Sequence, residues 1–272
     1  MSSNASRWVV ALARLVTVTG SLTYGAAMAA PYVPVPYVTV PPGKLTSVLS
    51  GGSAADVAIP MPAFALRTTP VTNREFLTFT EAHPEWRRGA APAVFADASY
   101  LHSQPAQPMD AAASNRPVTS VSWFAAQAYC ESEGARLPTW HEWEYAAAAD
   151  ATRRDARRDP AWRAGILAWY GQSSRNVPAA VGGAANLYGV RDLHGLLWEW
   201  VDDFNALLVS ADSRTQGDPD QLQFCGAGAI SLQDRENYAI LMRVALLSSL
   251  RGADTTDNLG FRCAKSLPKE RP

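Results

Sequence analysis

Apolar and polar positions change rhythm several times along the chain, and each change marks an element. "PYVPVPYVTVPPGKL" (residues 31–45) alternates apolar and polar residues up to a proline pair, the pattern of an edge strand. "VAIPMPAFALRTTPVT" (57–72) reads as a strand running into a turn. "TNREFLTFTEAHPEW" (72–86) switches to helical spacing, with Phe76, Leu77 and Phe79 on one side, Thr72 or Asn73 as cap and Pro84 as its end. Residues 87–115 are rich in Ala, Pro and Ser without a period and predict a surface loop. In "RPVTSVSWFAAQAYCESEGARLPTWHEWEYAAAAD", Ser122 caps a helix from Trp123 to about Ser132, and Gly134 follows as its stop. "RLP" is extended, and Thr139 caps a second helix carrying Trp143 and Tyr145. A solvated insert rich in Arg, Asp and Ala comes next. "GILAWYG" and "NLYGVRDLHGLLWEWVDD" return to the core, 205–222 form a polar loop, and the segment from Phe224 to Lys265 closes the domain.

Composition supports one large domain without internal repeats. The chain has 272 residues, of which 47% are apolar and 18% charged, enough for a sizeable core. Nineteen prolines, eighteen glycines and nine tryptophans favour a loop-rich domain closed by aromatic packing over long helices. A formal net charge of −1 and the lack of a basic run argue against nucleic acid.

The N-terminus reads as a processed leader. Arg7 and Arg14 precede a modest apolar stretch and then Ala27-Met28-Ala29, small residues flanking a larger one as signal peptidase requires. Gly20, Gly25 and the Ser and Thr residues weaken that stretch as a permanent membrane anchor. The expected organisation is a signal peptide over 1–29, a flexible Pro/Gly/Ser-rich lead-in over 30–55, the domain over 56–267 and a tail over 268–272. The expected location is periplasmic or secreted, with no stable membrane anchor after processing, where cysteines can pair.

The chemistry-bearing residues are few. Cys130, Cys225 and Cys263 make an odd count that leaves at least one thiol free or intermolecular. The sequence contains no CxxC, HExxH, GxGxxG, Walker loop or GxSxG. His141 and His194 have no metal partner by spacing. "VRDLHGLLWEWVDDF" (190–204) concentrates four carboxylates, two tryptophans and a glycine. Taken alone, Asp192 and Glu199 are ordinary acids on one side of a helix, with a metal site and a catalytic acid pair as alternatives. Trp123, Trp143, Trp198 and Trp200 read as core aromatics, and Arg243 and Arg262 as partners of a buried acid or binders of a carboxylate.

Three segments in order, "RPVTSVSWFAAQAYCESEGARLPTWHEWEYAA", "NLYGVRDLHGLLWEW" and "NLGFRCAK", resemble the formylglycine-generating enzyme, or sulfatase-modifying factor, family over roughly Pro62 to Lys265. The resemblance implies an α+β fold with little regular structure, related to C-type lectins. The formylglycine-generating enzymes of this family oxidise a sulfatase cysteine with oxygen at copper(I) held by two cysteines, soft donors that suit that ion. The corresponding stretch here, Gly226 to Arg243, has no cysteine. Ser231 and Glu236 fall near the two ligand positions, and Cys225 lies outside the ligand spacing. Copper is therefore not expected, and no catalytic residue is assigned.

By the same resemblance, Asp192, the carbonyls of Gly195 and Leu197, and Glu199 would hold one structural calcium, a hard cation that takes such oxygens. The family's other calcium site needs a longer insert than the one between Tyr170 and Asn186. Asn258 would line a substrate groove, or only cap a turn before Gly260. The resemblance also joins Cys130 to Cys263, leaving Cys225 a free thiol; the alternative pairing is Cys225 with Cys263. The functional expectation is an accessory protein that binds or matures another exported protein or peptide, such as a metalloenzyme; some relatives are linked to copper nitrite reductases. The alternatives are an oxidoreductase acting on a thiol with altered metal ligation, using Cys225 and Met242, and a lectin-like module for glycan or peptide.

Overall fold

Local signals set most of the helices. The computed structural model describes residues 37–47, 58–170, 177–207 and 238–268. Helix α1 (Asn73–Ala82) begins with a capping box: the Thr72 hydroxyl accepts from the Glu75 amide while the Glu75 carboxylate accepts from the Thr72 amide. Pro84 ends it by opening a 3₁₀ turn, Pro84–Trp86. After the short α2 (Ala111–Ser114), α3 (Trp123–Ser132) is capped by Ser122 and closed by Gly134. There φ is +63°, which glycine adopts without a Cβ penalty. Helix α4 (Trp140–Ala147) repeats the capping box with Thr139 and Glu142. Helix α5 spans Pro160–Tyr170 and α6 Tyr238–Ser248.

The strands are short. β1 (Tyr37–Val40), β4 (Phe64–Arg67) and β7 (Ala264–Ser266) form an antiparallel sheet in the order β1-β4-β7. β2 (Gly43–Leu45) pairs with β3 (Ile59–Met61), and β5 (Trp198–Glu199) runs parallel to β6 (Leu259–Gly260). β1 is an edge strand. β1 and β2 are built from residues 37–45, so this part of the stretch expected to be a flexible lead-in over 30–55 is folded into strands. The last parallel pair fits only because residue 260 is glycine: a Cβ there would lie 2.4 Å from the carbonyl oxygen of Val118.

The core is aromatic, and one stacked and edge-on group joins α1, α3 and the last strands. Phe76 lies 5.9 Å from Tyr129 and 6.1 Å from Phe261, centroid to centroid. Of the four tryptophans expected inside, Trp143 and Trp200 are fully buried and Trp123 and Trp198 half-buried. Residues 87–115 are more than a surface loop, since Ala96, Tyr100 and Leu101 insert into the core. In α5, Ile166 is buried, Trp169 is half-buried with its ring 6.0 Å from that of Trp198, and Leu167 is exposed. With helices and short strands around this core, the described residues form an α+β domain. Among the described residues, no helix is long and apolar enough to cross a membrane.

Candidate functional site

The segment 186–197 is a series of turns rather than a helix, and it leads into β5. The Asn186 side-chain oxygen accepts from the amides of Tyr188 and Val190, and Gly189, Asp192 and Gly195 all have positive φ. Asp192 faces outward to a second turn. Its two oxygens accept from the amides of Gly182 (2.8 Å) and Gly183 (2.9 Å), and a Cβ on Gly183 would lie 2.6 Å from Asp192 Oδ1. Gly195 is exposed and Leu197 is buried.

Glu199, on β5, points the other way, into the core. It is fully buried and forms a two-pronged ion pair with Arg262. Arg262 Nη2 donates to Oε1 (2.7 Å) and Nε to Oε2 (2.9 Å), while the Trp143 indole also donates to Oε2 (2.9 Å). Arg243, from α6, stacks its guanidinium 3.6 Å from the Trp143 ring centroid and donates to the Glu199 backbone carbonyl. The remaining Arg262 N–H groups reach the carbonyls of Arg191, Arg67 and Thr68. A guanidinium has five donors, and here all five meet acceptors, a condition a buried cation needs. His194 lies edge-on to Trp143 and Trp162, with Nε2 beside the Ala147 carbonyl. Burial, reinforced by the nearby Arg243 and Arg262 charges, lowers its pKa to about 4, so the ring is neutral at pH 7.

This geometry does not suit the calcium set expected at Asp192, Gly195, Leu197 and Glu199. The two carboxylates share no partner, and each already has its own: backbone amides for Asp192, a guanidinium and an indole for Glu199. A dication against Glu199 would sit beside two buried guanidinium groups. Among the described residues, no group of three or more His, Cys, Asp or Glu side chains could hold a metal ion.

Cys130 of α3 and Cys263 are joined by a disulfide, with Cα atoms 5.5 Å apart and a sequence separation of 133. Cys225, Ser231 and Glu236 lie outside the described residues, as does the leader over 1–29. Met242 is exposed on α6.

Asn258 lies on a rim that faces solvent. It is half-buried, its side-chain oxygen accepts from the Thr256 hydroxyl (2.9 Å), and its carbonyl accepts from the Trp198 amide. Beside it, Oδ1 of the exposed Asp257 accepts from Ser103 Oγ (2.6 Å) and Ser120 Oγ (3.0 Å) and meets His102 Nε2 at 2.8 Å. Those hydroxyl bonds hold the Asp257 carboxyl below the usual carboxylate range. Ser120 is fully buried at φ +54°, a conformation disfavoured for residues with a Cβ. Backbone bonds on both sides hold it: its amide donates to Thr256 and its carbonyl accepts from Leu101. The sequence reading missed this rim. Positive φ at a serine leaves no compositional mark, and 137 residues separate Ser120 from Asp257.

Residues 25–267 match the family model described as sulfatase-modifying factor enzyme 1-like domain. The chain is 36% identical over 171 residues to the formylglycine-generating enzyme of Streptomyces coelicolor, covering 55% of this chain and 52% of that protein. It is 32% identical over 161 residues to the hercynine oxygenase of Mycolicibacterium smegmatis (52% and 37%). With the inactive C-alpha-formylglycine-generating enzyme 2 of Mus musculus it shares 33% over 169 residues (57% and 51%). The chain thus spans about half the length, or less, of these relatives. Among solved structures it is similar to CarF, with TM-score 0.44 and 15% identity over 86% of this chain and 99% of that one. A second is PvdO from Pseudomonas aeruginosa, with TM-score 0.44 and 17% identity over 85% and 94%. By its family-model match, the chain belongs to the sulfatase-modifying factor, or formylglycine-generating enzyme, family.

Proposed function

We propose that this chain is an exported accessory protein that binds, or helps mature, another exported protein or peptide such as a metalloenzyme, and that it does not generate formylglycine. One observation carries the reading, the inventory of thiols. Of three cysteines, Cys130 and Cys263 are consumed by their disulfide, so a single chain retains only Cys225. Copper(I) in the family's formylglycine-generating enzymes is held by a pair of soft thiolates, and one chain with one thiol cannot supply that pair. The family also includes members named as inactive, such as the mouse protein above. Binding is the chemistry the fold retains, at the rim around Asn258 and Asp257.

A second reading is an oxygen-dependent oxidoreductase of altered ligation, with Cys225 as the sole thiolate and Met242 as a thioether donor. Its support is the likeness to a formylglycine-generating enzyme and a hercynine oxygenase. One assay separates the two. Oxidised protein supplied with copper and a cysteine-containing sulfatase peptide is followed by oxygen uptake and by the mass of the peptide. The accessory reading expects no uptake above a copper-only control and an unchanged peptide; conversion of the peptide cysteine to formylglycine over repeated turnovers overturns it.

A further inference from the structure

The two acids expected to share a cation have separate partners, and one of those partners is itself a cation. Glu199 sits on β5, where Trp198 and Glu199 pair with Leu259 and Gly260 of β6. Arg262 follows β6 by two residues, so the strand pairing carries its side chain to the carboxylate. Both partners are fully buried, and both carboxylate oxygens receive guanidinium N–H groups at 2.7 and 2.9 Å. The Trp143 indole fills a further acceptor position on Oε2, and Arg243 caps the Glu199 carbonyl. The charge that faces the Glu199 carboxylate is the Arg262 guanidinium. Of the about four lone-pair positions of the carboxylate, Arg262 and the Trp143 indole fill three, and a divalent cation replacing Arg262 would strand the two guanidinium N–H groups that Glu199 now accepts.

We propose that the guanidinium of Arg262 takes the electrostatic place of a divalent cation at Glu199, so that the domain folds and holds its stability without calcium. Arg262 also does what a structural metal does for a loop-rich domain: it ties separate segments together. Its contacts join β5, the turn at Arg191, and the Arg67–Thr68 end of β4. Asp192 is left as a local clamp on the 182–183 turn rather than half of a site.

The test uses the full chain. Its melting temperature is measured in excess calcium chloride and in excess chelator, and its metal content is read by elemental analysis. The expected result is no shift between the two conditions and no stoichiometric calcium. Arg262→Gln should lower the melting temperature by roughly 10 °C, because it strands a buried carboxylate. Arg262→Lys, which keeps the charge but not the fork, should fall between them. A calcium-dependent rise in the wild-type melting temperature, one calcium per chain, or an Arg262→Gln variant melting within about 2 °C of wild type would each overturn the proposal. If Arg262→Gln does not fold, the wild-type comparison and the lysine variant still decide it.

Discussion

Glu199 and Asp257 lie near opposite ends of the same strand pair, and each is a carboxylate gathered by several donors. They differ in what gathers them. Glu199 is enclosed by Arg262, Arg243 and Trp143, with no exposed side-chain surface. Asp257 is held by two serine hydroxyls and a histidine, and its side chain is 62% exposed. Low dielectric makes the first arrangement strong and unforgiving, because removing one partner strands a buried charge. Water weakens the second. The first is therefore a part of the scaffold, and the second is the exposed rim at which binding is proposed.

The contrast predicts a descending series of effects. Glu199→Ala should cost the most, about 3–5 kcal/mol, because the buried Arg262 guanidinium loses its carboxylate and the Trp143 indole its acceptor; the midpoint of urea unfolding reads it. A loss below about 1 kcal/mol would erase the contrast with Asp257. Replacing Cys130 and Cys263 together by serine should cost about 2–5 kcal/mol, since a staple between α3 and the approach to β7 limits the unfolded chain. Tryptic mapping of unreduced protein checks the pairing itself.

Acid should act next, through His194. Its folded pKa of about 4 lies below the ordinary value of about 6.5, so the unfolded chain binds its proton first as pH falls. That contribution is intact above about pH 6.5 and is lost progressively down to about pH 4, amounting to at most about 3 kcal/mol. Urea midpoints measured across this range should fall with pH, and His194→Gln should flatten that part of the profile. Smallest of all, Asp257→Asn should change stability by under about 1 kcal/mol by the same unfolding measurement, since its bonds are at the surface.

Much of this scaffold was legible in the sequence because its causes are local. Thr72, Ser122 and Thr139 cap the helices they precede, and Gly134 closes α3 at the residue where a left-handed turn is needed. What failed to show in the sequence depends on distant partners. Asp192 and Glu199 are seven residues apart and invite a shared role, but the partner that decides Glu199 is Arg262, 63 residues away. Tyr100 and Leu101 are core residues in a stretch without periodicity, so nothing in the pattern marks them as buried. The rim at Ser120 and Asp257 escaped for the same reason, being assembled from three loops whose composition is ordinary.

The central functional claim is that this family member lacks the paired thiolates of copper chemistry. It is tested most directly by copper(I) titration of the folded, oxidised protein against a strong competing chelator. The account predicts that the chelator keeps the metal, because Cys225 alone supplies one soft ligand. A stoichiometric copper(I) complex that survives the chelator would contradict it.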